Sequence, residues 1–349
     1  MMPRLIAIIF LLGFIVGCGA QPLPPVTPPP AVLNILNWDT YIDPALLDAF
    51  TAETGIAIAY HTYGNNDEAY TLLTTSGQSY DLVIISDLLV DRLIREQRLA
   101  VLNHERLTNL SHLDPALNRL AADPINRFCV PYLWGVLGFG YHQSAHNQPI
   151  TSWNDAFDPA HTSRIVMLDD ARYSLGLVLI ALGYSPNTTD PAAIGAARDW
   201  LRARAGRITR FAADDGQAML ARGEAEIVIE WSGDILQVAS TDADIRFEIP
   251  AEGSIFSADS MCIPFDARDQ PAAEQFIDFI LTAEHGAALA NKTRYISPNR
   301  AAFSLLDADL QRLIRRYQVL EQEGRLFRLV DVDPRVREFY RAAWAEVRR

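Results

Sequence analysis

Carboxylates and aromatic rings recur together where short apolar runs end. Trp38 and Tyr41 follow Ile35-Leu36-Asn37, and Ser86 and Asp87 follow Val83-Ile84-Ile85. Asp169 and Asp170 follow Val166-Met167-Leu168, while Glu230, Trp231 and Asp234 follow Val228-Ile229. Asp259 and Ser260 lie inside the extended apolar segment 255–263. Lysine is absent from all five places, and Arg172 is the one cation nearby. Such a set suits a cationic, partly aliphatic ligand. A buried ammonium must be paired or its desolvation dominates, and tryptophan and tyrosine faces attract cations by roughly 0.5–2 kcal/mol each while covering methylene groups. An anionic ligand would call instead for arginine, lysine or glycine-rich loops.

Each residue also has a plainer reading. Asp170 and Asp234 precede helical stretches and fit as N-caps, as does Ser86. Trp38 fits a core position, and Asp259 could bridge to Arg172. His142 and His146 have an i, i+4 spacing that could hold a metal, but they lie in a strand end and loop without a third ligand. There is no G-x-S-x-G, phosphate loop or C-x-x-C, and Gly138-Phe139-Gly140 lacks the rest of a dinucleotide fingerprint, so no cofactor and no metal is expected. Asp170 and Asp259 could in principle serve a hydrolase as an acid pair.

The elements that must position these groups alternate in type. Strand patterns at 32–37, 56–60, 81–86, 165–168 and 226–229 are separated by helical patterns at 67–75, 88–98, 192–205 and 217–222, with a further helix from about 234. Asp43-Pro44 opens a helix that Gly55 should close. The last third reads as helical at 271–281, 305–322 and 334–347. Strands alternating with helices predict an α/β fold with a largely parallel sheet. In such sheets ligands bind beyond the carboxyl ends of the strands, where the polar groups above would gather.

The ends and the charge narrow the class further. Residues 1–4 are a short basic start and 5–16 are almost wholly apolar, too short to span a bilayer. Ile15-Val16-Gly17-Cys18 resembles a lipoprotein cleavage site, so 1–17 is expected to be a signal peptide and Cys18 the lipid-carrying residue. Segment 18–31 holds six prolines between positions 22 and 30 and would form an extended tether. The body at 32–349 has the length of two domains. The formal charge is −13, and residues 1–17 contribute only Arg4 to it. That acidity argues against nucleic acid as a partner. Beyond Cys18 there are only Cys129 and Cys262, a candidate disulfide in an exported protein or else two buried thiols.

Several segments resemble the spermidine- and putrescine-binding receptors of bacterial ABC transporters, over nearly the whole mature chain. They include Leu36-Asn37-Trp38-Asp39-Thr40-Tyr41-Ile42, Val130-Pro131-Tyr132-Leu133-Trp134-Gly135, Leu168-Asp169-Asp170-Ala171-Arg172 and Asp259-Ser260-Met261-Cys262-Ile263-Pro264. The resemblance implies a type II periplasmic-binding-protein fold: two α/β lobes joined by a hinge, with the ligand cleft between them. The lobes would be 32–135 plus 257–303 and 136–256 plus 304–349. Cys129 and Cys262 would then both lie near crossing segments, which favours their pairing.

By the same resemblance Trp38 and Tyr41 pack on a polyamine, Ser86 is a strand-end contact, Asp170 meets an amine, Trp231 is the second-lobe tryptophan and Asp259 is the main ammonium partner. Asp234 sits where putrescine-type members carry an aspartate, and Asp87 adjoins the site. Leu88, Tyr173 and Ser257 depart from the family, which usually has tyrosine, glutamate and an aromatic residue there. The implied protein is a monomeric, lipid-anchored extracytoplasmic receptor, not an enzyme, that passes its polyamine to a permease and its ATPase. The rival readings are a receptor for another cationic amine or for ferric ion, and the hydrolase.

Overall fold

A computed structural model describes residues 32–115, 123–146, 148–158, 164–213 and 215–349. The expected signal peptide, Cys18 and the tether lie outside the described residues. The chain begins β1 (Val32–Trp38), α1 (Pro44–Thr54), β2 (Ala57–Tyr63), α2 (Asn66–Thr74), β3 (Leu82–Ser86) and α3 (Asp87–Arg95). Then come β4 (Cys129–His142), α4 (Trp153–Ala156), β5 (Ile165–Leu168), α5 (Ala171–Ala181), α6 (Pro191–Arg202), β6 (Ile208–Ala212) and α7 (Gly216–Ala221). They are followed by β7 (Ile227–Trp231), α8 (Ser232–Ala239), β8 (Ile245–Glu248) and β9 (Ser254–Cys262). The last elements are α9 (Gln270–Ile280), α10 (Ala283–Thr293), α11 (Ala308–Gln322), β10 (Leu326–Arg328) and α12 (Pro334–Val347).

Local chemistry places the ends of these elements. Asp43 caps α1 by accepting from the Ala45 amide, Pro44 takes the first turn, and Gly55 closes the helix at φ 74°. Asp170 caps α5 by accepting from the amides of Arg172 and Tyr173. Both were expected as helix starts.

The strands run in the order β2-β1-β3-β9-β4-β7-β5-β6, with β10 added to β9 and β8 to β4. Each lobe keeps a parallel set: β2, β1 and β3 in the first, and β7, β5 and β6 in the second. The sheet as a whole is mixed, not largely parallel as expected. The reason is the pair of long crossing strands. β9 runs antiparallel to both β3 and β4, and β4 runs antiparallel to β7 and β8. β4 pairs with β9 from Cys129 to Val136 and with β7 from Leu137 onward, so one strand serves both lobes.

Among the described residues four apolar clusters form, of which two are the largest. One packs β1, β3, β4 and β9 against α1, α9 and α10 through Leu33, Ile84, Phe50 and Phe276. The other packs β5 and β7 against α5, α6 and α12 through Met167, Ile229, Leu179 and Trp344. The apolar face of α11 (Leu310, Ile314, Tyr317) joins the first core, with the Tyr317 ring 5.5 Å from that of Trp134. Among the described residues no helix is long and apolar enough to cross a membrane.

Cys129 and Cys262 form a disulfide, which settles the alternatives that the sequence left open. They face each other across β4 and β9 with Cα atoms 4.4 Å apart, the spacing of a directly opposed antiparallel pair. The bridge closes a sequence separation of 133 residues. Replacing both cysteines by alanine should therefore lower the unfolding free energy by about 2–4 kcal/mol. Denaturant unfolding of the two forms measures this, and equal midpoints would show that the bridge adds nothing.

Candidate functional site

The loop after β1 is built first. Asn37 is fully buried and accepts the Trp38 amide proton at 2.8 Å through its side chain. Tyr132 from β4 donates to the Tyr41 carbonyl at 2.8 Å. Between them Thr40 is held at φ 51°, a left-handed conformation costly for a β-branched residue. These constraints aim Trp38, Thr40 and Tyr41 at the junction of the lobes.

Two aspartates receive them. Trp38 Nε1 donates to Asp259 Oδ1 at 3.1 Å, and the Tyr41 hydroxyl donates to Asp259 Oδ2 at 2.9 Å. Thr40 Oγ1 donates across the cleft to Asp234 Oδ1 at 3.2 Å, and the Tyr295 hydroxyl donates to Asp234 Oδ2. Tyr41 and Tyr295 stand edge to face with centroids 4.6 Å apart, so an aromatic path joins the two carboxylates. Among the described residues neither Asp259 nor Asp234 is in an ion pair.

The cavity here is narrow, about 30 Å³, and includes Trp38, Tyr41, Ser86, Tyr173, Trp231, Asp234 and Asp259 in its lining. Seven of the nine side chains expected at a ligand site thus converge. Asp87 and Asp170 lie off this lining. Asp87 turns to Arg328, with Nε 3.3 Å from Oδ2. Asp170 caps α5 and lines an outer groove with Asp169 and Arg172. The acid pair a hydrolase would need is therefore not formed, because Tyr173 lines the inner cavity and Asp170 the outer groove. The expected alternative of an Asp259–Arg172 bridge is not formed either. Arg172 donates to Asn187 and to the Val330 carbonyl.

Tyr295 is the contributor that sequence reasoning missed. It does not follow a buried strand; it precedes Ile296, which bridges to Trp134 of β4. A signal was present in Trp231-Ser232-Gly233-Asp234. A Cβ on Gly233 would overlap the Tyr295 ring, so only glycine lets that ring pass to Asp234. Glu230, noted in the sequence at the end of its strand but given no role, is fully buried with no hydrogen-bond partner on Oε2.

Burial pushes the Asp259 carboxyl up to about 7; the bonds from Tyr41 and Trp38 oppose this, and the charges of Asp87 and Asp234 add to it. Burial likewise raises Asp234 and Glu230, and the charge of Asp234 adds to the shift of Glu230. The cavity therefore stores unfavourable negative charge that a cation would relieve. His142 contacts the Leu220 carbonyl, and among the described residues no group of three or more His, Cys, Asp or Glu could hold a metal ion.

Comparison with known proteins follows the same lines. Residues 45–313 match the family model described as bacterial extracellular solute-binding protein. The spermidine/putrescine-binding periplasmic protein of Salmonella typhimurium is 34% identical over 280 residues, covering 80% of each chain. The putrescine-binding periplasmic protein PotF of Escherichia coli is 29% identical over 336 residues, covering 90% of this chain and 91% of its own. The crystal structure of the spermidine/putrescine ABC transporter substrate-binding protein PotD from Streptococcus pneumoniae superposes with a TM-score of 0.77 at 30% identity, covering 91% of this chain and 98% of that one. The fold is thus the two-lobed periplasmic-binding-protein fold.

The sign of the Asp259 shift fixes a pH dependence. The folded state keeps this proton up to about pH 7, whereas the unfolded chain releases it near 3.8. Between those values the folded state binds more protons, so stability without ligand falls as pH rises through this window. Asp259→Asn should flatten that slope in denaturant unfolding. A variant with the parent slope would assign the titration to another group.

Proposed function

Because the chain belongs to the bacterial extracellular solute-binding protein family, we propose that it captures a polyamine outside the cytoplasm and delivers it to an ABC importer. One observation carries the ligand class: Asp259 and Asp234 are enclosed by aromatic rings and, among the described residues, have no cationic partner. The names of the similar receptors agree with that chemistry.

One ammonium binds Asp259, whose oxygens keep lone pairs after accepting from Trp38 and Tyr41. The second ammonium binds Asp234. The methylenes between them pack on Trp38, Tyr41 and Trp231. Closing the lobes removes water and strengthens each charge pair. In this reading Ser86 and Tyr173 shape the cavity wall, while Asp87 and Asp170 act from behind it. The protein catalyses no reaction; binding and release are its whole cycle.

The finer parts of the reading rest on sequence. Cys18 carries a lipid, 18–31 is the tether, and the receptor works as a monomer that docks on a permease served by a cytoplasmic ATPase. The lobes are 32–135 plus 257–303 and 136–256 plus 304–349, with the apolar face of α11 set against the first.

Thermal unfolding with putrescine, cadaverine, spermidine and spermine tests the proposal. A ligand at 1,000 times its Kd adds about 4 kcal/mol of stability, so at least one polyamine should raise the midpoint clearly. No shift with any of them would overturn it. Asp259→Asn leaves an ammonium unpaired and should cost about 3–5 kcal/mol of binding, at least a hundredfold in Kd. Calorimetric titration that found unchanged affinity would remove Asp259 from the site.

A further inference from the structure

The acidic groups around the cleft are not equally available to a ligand. Asp170 accepts the first-turn amides of α5 at 2.8 and 3.1 Å through Oδ1, and Asn66 stands 3.5 Å from Oδ2. Asp87 is paired with Arg328, whose guanidinium reaches in from β10 and lies 5.0 Å from the Phe256 ring centroid. Asp87 is nonetheless a neighbour of the cavity. It follows Ser86 in the chain, and its charge helps to raise both Asp259 and Tyr173. The place beyond that wall thus already holds a cation supplied by the protein.

Tyr173 forms the wall itself. Its ring stands edge-on to Trp231 with centroids 5.0 Å apart, and its hydroxyl lies 3.1 Å from Ser257 Oγ. It lines the inner cavity, while Asp170, one turn earlier on the same helix, faces the outer groove. Inside the wall the carboxylates are Asp234, which is buried, and Asp259, which is half-buried, with Asp39 exposed on the same lining. Two carboxylates match two ammonium groups. A third ammonium would be buried without a partner unless Tyr173 or Arg328 moved.

We propose that the cavity selects a short α,ω-diamine over triamines and tetraamines, with Tyr173 setting the length limit and Arg328 standing in for a third ammonium at Asp87. This rests on the polyamine-receptor reading above and narrows it to one class of ligand.

Calorimetric titration of the purified protein with putrescine, cadaverine and spermidine tests it. The parent protein should bind a diamine at least tenfold more tightly than spermidine. Tyr173→Ala and Arg328→Gln should each shrink that ratio about fivefold or more, the first by lengthening the cavity and the second by freeing Asp87. Asp87→Asn combined with Arg328→Gln should not share the gain, since the freed carboxylate is gone. The two single variants lie on separate elements, so either one carries the test if the other fails to fold. Equal binding of spermidine and diamine by the parent, or an unchanged ratio in the folded variants, would overturn the selectivity and leave the receptor reading standing. Failure of the parent to bind any of the three would overturn both.

Discussion

The cost of holding carboxylates away from water organises this molecule. Asp259, Asp234 and Glu230 are buried or walled in by rings, and each is pushed towards its neutral form. Such groups are tolerated in a core only when something else offsets their desolvation. Part of the offset is internal: hydrogen bonds from Trp38, Tyr41, Thr40 and Tyr295. The rest comes from a retained proton or from a partner of opposite charge, and a cationic ligand supplies the second. Binding energy that a fully satisfied core would spend on stability is held back here for the ligand.

The aromatic residues serve this arrangement twice. They exclude water, which strengthens any charge pair formed inside, and their polar edges keep the carboxylates oriented. Trp38 and Tyr41 do both at Asp259; Tyr295 does both at Asp234. Besides Gln237 of its own helix α8, the donors to Asp234 come from the β1 loop and from the segment after α10. One carboxylate therefore ties groups that belong to opposite lobes.

Much of this was legible in the chain, for reasons that can be named. Asp43-Pro44 and Gly55 bracket α1 as their backbone preferences require. The strand-end rule pointed to Trp38, Ser86, Trp231 and Asp234 because the parallel strands do end beside this cavity. It failed for Tyr295, which reaches the site from outside any parallel strand, between Gly135 and Gly233. The strand β4 was largely unassigned because Pro131, Gly135, Gly138 and Gly140 read as breakers, although thirteen of its fourteen residues are buried. The helix α10 was missed for a related reason: its buried face is made of Gly286, Ala287, Leu289 and Ala290, too small to give a strong apolar period. Asp170 shows the limit of residue-type reasoning. Its chemistry fits an ammonium, yet its position commits it to capping a helix.

The disulfide has a mechanical consequence. It staples β4 to β9 at the end that lies inside the first lobe, and the two strands remain paired as far as Val136 and Phe256. At the next residue, Leu137, β4 takes β7 as its neighbour. Rotation of one lobe against the other therefore has its fulcrum within a few residues of Gly135 and Ser257, both of which line the cavity. Close to a fulcrum even a wide swing produces little travel. Arg341 of α12 donates to Asp67 of α2 at 2.6 Å, a second contact between the lobes on the exposed surface. Because Thr40 of one lobe bonds Asp234 of the other inside the pocket, the pocket and this rim pair both depend on how the lobes meet.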